Sequence, residues 1–76
     1  SASKNLYRDW RRELAKALRN GQHAGSIDTA IEVDNAAAFI IVALEGAFSQ
    51  AKNAQDMSVF HQCLEGLNDY LNGLRP

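Results

Sequence analysis

The run Asp34-Asn35-Ala36-Ala37-Ala38-Phe39, continued by Leu44-Glu45-Gly46-Ala47, decides the fold of this chain. At 100° per residue, Phe39, Ala43, Ala36, Ala47, Ile40, Ala51, Leu44, Ala37, Phe48 and Ile41 fall on one continuous arc. That arc spans roughly 200°, about twice the stripe with which a helix covers a single core. A helix apolar over such a width must meet neighbours on two sides, and the chain offers only two other helical stretches. Burial between subunits is the simplest way to cover the remainder, so a second copy of the chain is the expected partner.

The flanking stretches follow from local signals. A first helix is expected from Lys4 to Ala24, with Ser3 as N-cap and Gly25 ending it. Its core-facing stripe would hold Leu6, Tyr7, Trp10, Leu14, Ala17 and Leu18. A loop from Gly25 to Val33 leads to Asp34, the expected N-cap of helix two, which extends to Lys52 or Asn53. The short connection Asn53-Ala54-Gln55-Asp56 ends on Asp56 as cap of helix three and makes helices two and three antiparallel neighbours. In helix three, Met57, Phe60, Leu64, Leu67, Leu71 and Leu74 step by threes and fours, as in a helix-bundle seam. No stretch alternates with period two, so the fold class is all-α, a three-helix antiparallel unit.

Size and composition narrow the function. The 76 residues make one domain, 1–76, and a single core at this size contributes about 3–5 kcal/mol. The lone Cys63 excludes a disulfide framework, and Cys63 with His23 and His61 makes no metal set, so neither metal nor cofactor is expected. The longest apolar stretch, Ala36 to Ala47, has 12 residues including Glu45, short of the ~20 that cross a bilayer. A cytoplasmic location without membrane contact is expected. The chain opens on Ser1-Ala2-Ser3, as a processed product or fragment would.

The net charge of −1 conceals an asymmetry. Lys4, Arg8, Arg11, Arg12, Lys16 and Arg19 stand against Asp9 and Glu13, so residues 4–19 carry +4 and the rest −5. Arg8, Arg12, Lys16 and Arg19 share one side of helix one, but the interleaved acids favour a solvated face over a nucleic-acid surface.

No catalytic constellation is present. Cys63 and His61 are two residues apart and point to different sides of a helix. The Gly21 to Gly25 spacing lacks the Lys-Ser/Thr of a phosphate loop, and Asp56-Met57-Ser58 lacks the adjacent Asp-Ser of an acyl carrier protein. Gly46, at the edge of the wide arc, is expected to permit close helix packing, and Glu45 beside it either pairs across an interface or emerges into water.

Taken together, Trp10 with Leu14 and Leu18, Gly25-Ser26-Ile27, Asp34 with Ala36-Ala37, Ala43-Leu44-Glu45-Gly46-Ala47 with Ala51-Lys52, and the leucine-rich end at Leu74-Arg75-Pro76 resemble the C-terminal effector and dimerisation region of TetR-family bacterial transcriptional repressors. The resemblance covers residues 6–75 and implies a non-enzymatic regulator. It further implies that the last two helices meet their symmetry mates in a four-helix-bundle homodimer, here through Phe48, Phe60, Leu64, Leu67 and Leu71. DNA contacts would belong to an N-terminal helix-turn-helix domain absent from this chain. A small hydrophobic effector would enter a cavity walled partly by helices one and two, with Trp10, Leu14, Phe39 and Ile40 as candidate wall residues, each also readable as ordinary core. The alternative is a free-standing helical-bundle interaction module whose basic first helix meets an acidic partner.

Overall fold

A computed structural model describes the backbone of residues 2–76 and the side chains of residues 6–76. It contains three helices, α1 (Ala2–Ala24), α2 (Val33–Ala54) and α3 (Ser58–Asn72), with no strand among the described residues. Helix α1 already runs through position 3, so Ser3 is not its N-cap, and the Ser3 side chain lies outside the described residues. Gly25 ends α1 as expected: its φ of +84° is the left-handed conformation that glycine adopts without a Cβ penalty. The Ser26 and Ile27 amides then close back onto the Gly21 carbonyl at 2.9 and 3.2 Å.

Two expected caps shift. Helix α2 begins one residue before Asp34, with Glu32 at the N-cap and no side-chain cap there. Asp34 sits inside the first turn and instead faces Arg19 of α1 at 3.9 Å. The N-cap position of α3 is Met57, yet the Asp56 carboxylate accepts the Ser58 amide at 2.9 Å from one residue further back. That backbone amide, followed by the Ser58 hydroxyl, holds the Asp56 carboxyl below its ordinary pKa. A lowered folded-state pKa makes this contribution present at neutral pH and lost as the pH falls through it.

Helix α2 packs on α1 and on α3, while among the described residues α1 and α3 make no close backbone approach to each other. The outline is accordingly a flattened fan of 40 × 31 × 14 Å. A radius of gyration of 13.7 Å exceeds the ~11 Å of a compact domain of this length. Both neighbours run antiparallel to α2. Ala15 and Leu18 from the later half of α1 meet Val33, Ala36 and Ala37 at the start of α2. The ring of Phe39 lies 4.9 Å from that of Tyr70, and the Cys63 thiol donates to the Ala43 carbonyl at 3.6 Å.

The interior combines alanines with a few branched aliphatic side chains. Ala15, Ala36, Ala37, Ala47 and Ala51 are buried, alongside Leu18, Val33, Ile40, Ile41, Leu67 and Leu74. Leu74 enters the core from beyond the end of α3, fixed by the Asp28 amide donating to its carbonyl at 2.8 Å. The stripe expected on α1 is rotated: Ala15 and Leu18 are buried, Leu14 packs on the core, and Leu6, Trp10 and Ala17 are exposed. The seam expected along α3 is likewise divided, with Leu67 buried and Met57, Leu64 and Leu71 exposed. The cause is common to both. With α1 and α3 apart, neither covers the other's inner flank.

The loop joining α1 to α2 is held from inside by one side chain. The Gln22 amide donates to the carbonyls of Asp28 at 3.0 Å and Ile31 at 2.8 Å. In Gln22→Ala both half-buried carbonyls lose their donor, and a loss of about 1–2 kcal/mol in urea unfolding is expected, with faster amide exchange across residues 25–32. At the other end of α2, Gln55 holds a φ of 54° while its amide donates to the Ala51 and Lys52 carbonyls. Gln55→Gly keeps that cap, removes the left-handed penalty, and should stabilise the fold by up to about 1 kcal/mol, read as a raised Tm.

Candidate functional site: an apolar groove across the fan

The missing contact between α1 and α3 leaves a groove over the later half of α2. Its volume is about 560 Å³ and its lining is Trp10 from α1, Leu44, Glu45 and Phe48 from α2, and Phe60 from α3. Leu44 and Phe48 are one helical turn apart and share a face of α2. Trp10 is 53% exposed and Phe48 61% exposed, unusual for side chains whose burial is normally worth about 1.5–3 kcal/mol each. Glu45 supplies the one carboxylate of the lining. A concave, largely aromatic wall with one polar group at its edge fits a small apolar molecule; sites of this kind commonly measure ~300–1,000 Å³. Among the described residues no group of three or more His, Cys, Asp or Glu could hold a metal ion.

The sequence-derived candidates are redistributed. Of the wall residues, Trp10 lines the groove, Leu14 packs against the core, and Ile40 is buried. Phe39 lies about 140° round α2 from Leu44, on the side where it meets Tyr70. Of the interface residues, Phe48 and Phe60 line the groove, Leu64 and Leu71 are exposed on α3, and Leu67 is buried within the protomer. Gly46 meets open space, with nothing within 4 Å of where a Cβ would stand, so no helix of this protomer approaches closely there. The close approach is at Gly21, where a Cβ would stand 2.8 Å from the Ile27 side chain. Leu44 is a lining residue that the sequence candidates omitted; its i, i+4 relation to Phe48 was the available signal.

Residues 2–67 match the model of the family described as tetracyclin repressor-like, C-terminal domain. This chain belongs to that family. No curated protein and no solved structure matches it. The matched region of this TetR-like domain takes in α1, α2 and the groove lining, and stops at Leu67, before Leu71 and Leu74. No helix among its described residues is long and apolar enough to cross a membrane.

Trp10 is the only tryptophan of the domain, so its emission reads the groove directly. Titration with the apolar probe anilinonaphthalene sulfonate should shift that emission to shorter wavelength. Phe60→Ala should weaken the probe about ten-fold, the equivalent of ~1.4 kcal/mol of lost contact. Emission that stays unchanged at saturating probe would show that nothing enters beside Trp10.

Proposed function

We propose that this domain is the sensing and dimerisation part of a TetR-like transcriptional repressor. It pairs with a second copy through the apolar face formed by α2 and α3, and it binds a small hydrophobic effector in the groove beside Trp10. DNA is then contacted through a helix-turn-helix domain outside residues 1–76 and not by this part. The role of these residues in DNA binding is to fix the spacing of two reading heads.

The observation that carries this reading is the exposure of large apolar side chains around a core in which five of the eleven buried residues are alanine. Phe48, Leu64 and Leu71 are 61%, 39% and 43% exposed, next to the half-buried Phe60. With Trp10 they present on the order of 400 Å² of apolar surface, about half of one partner's share in a standard interface. Leu67, buried in the protomer, supports the interface from beneath instead of joining it.

Phe48 and Phe60 belong to both the groove and the proposed interface. A ligand that packs on them alters the surface offered to the second copy, and effector binding is thereby coupled to dimer geometry. Such coupling needs different affinities for the two geometries, and a groove whose walls include interface residues supplies that difference.

Sedimentation equilibrium over micromolar concentrations tests the pairing. The unsubstituted domain should sediment as a dimer. Phe48→Asp and Leu64→Asp, at positions already exposed in the protomer, should sediment as monomers with helical circular dichroism retained. A folded monomer without any substitution, or a double variant that still dimerises, would refute the interface.

A further inference from the structure

The flank of α1 opposite Trp10 carries a second hollow, of about 220 Å³, lined by Arg8, Arg11, Arg12, Ala15, Arg19 and Asp34. The spacing of these charges reads as a solvated face with acids interleaved beside the basic side, and the hollow takes the arginine edge of it. Arg8, Arg12 and Arg19 fall within about 40° of one another, whereas Asp9 and Glu13 lie about 60–140° from them around the axis. Among the described residues, four guanidinium groups and the Asp34 carboxylate of the neighbouring helix line this hollow.

That carboxylate is weakly engaged. Arg19 and Asp34 are 3.9 Å apart with side chains 50% and 74% exposed, a geometry in which an ion pair contributes little. Arg11 is held over the Tyr7 ring at 5.8 Å, which orders one guanidinium at the rim. Asp34 stands in the first turn of α2, whose N-cap residue makes no side-chain cap. Guanidinium groups present planar pairs of donors that match phosphate and carboxylate oxygens.

We infer that this hollow is an anion site for a small multivalent ligand bearing phosphate or carboxylate groups, separate from the apolar groove. Arg12 and Arg19 grip the anion from α1, Arg11 neutralises its remaining charge, and Asp34 weakens binding and so sets a lower limit on the ligand's charge. The hollow is open to solvent and its lining runs along α1 from Arg8 to Arg19, so duplex DNA is the competitor against which the small anion is tested.

The test is calorimetric titration of the domain with pyrophosphate and with citrate at moderate salt, with circular dichroism confirming the fold of each variant. Pyrophosphate should bind, with citrate comparable if charge alone is read and much weaker if phosphate geometry is read. Arg12→Glu and Arg19→Glu should each weaken binding about ten-fold or more, and the milder Arg12→Gln by a smaller factor. Asp34→Asn should tighten it several-fold, an effect that mere loss of structure would not produce. Lys52→Glu makes the same charge change about 27 Å along α2 from Asp34 and should leave affinity within about two-fold. Absence of binding by both anions at millimolar concentration would overturn the site. So would equal weakening by Lys52→Glu and Arg19→Glu, or a duplex DNA that binds more tightly than pyrophosphate and responds alike to every charge reversal.

Discussion

The width of the apolar arc on α2 is the constraint on which the rest of this structure depends. A helix between two neighbours has two covered sides and two open ones, and here the covered sides are lined by small residues. Ala36, Ala37, Ala47 and Ala51 let α1 and α3 approach α2 closely. Close approach gives good contact per residue but little buried volume, and among the described residues the buried large side chains are aliphatic, with no aromatic ring in the core. The larger apolar groups are thereby displaced to the open faces, with Phe48 towards the groove and Phe39 towards Tyr70.

The fan shape follows from the same cause. Three helices in a closed bundle would bury their inner flanks against one another, and the flank of α1 bearing Leu6, Trp10 and Ala17 would become core. In the observed arrangement the chain closes at only one end, where Leu74, Leu18 and Val33 converge and the Asp28 amide ties the C-terminal turn to the first loop. The opposite end, where Trp10, Phe48 and Phe60 surround the groove, stays open. One end of the molecule is thus a small core of its own, and the other is an open apolar groove.

Much of this was legible in the sequence, because helix existence and type depend on periodicity and on residues such as Gly25 whose conformational preference is local. The family was legible for a related reason, since the Ala43 to Ala47 segment and Trp10 fall inside the matched region. What periodicity could not supply was the angle between helices. Leu67 and Leu71 occupy equivalent seam positions, yet one is buried and the other exposed, because that depends on where α3 meets α2 and on no local property of either leucine. Phe39 and Ile40 are adjacent in an equally apolar stretch, and a single residue's rotation separates a ring on Tyr70 from a buried core position. The caps failed on a smaller scale: Asp34 and Asp56 are both good N-cap residues, and the helix starts moved by one or two positions around them.

The division of the surface has a consequence for regulation. Apolar burial in the groove and charge neutralisation at the arginine hollow draw on different physical terms, one nearly insensitive to salt and the other strongly screened by it. Both nevertheless act on α1, which contributes Trp10 to the first site and Arg8, Arg11, Arg12 and Arg19 to the second. A helix gripped on opposite flanks shifts as a unit, since a packed helix slides or tilts more readily than it bends. Any displacement of α1 that narrows the groove onto an apolar ligand also moves the arginines relative to Asp34 on α2. Reciprocity then requires that whatever one site does to the affinity of the other is returned in equal measure.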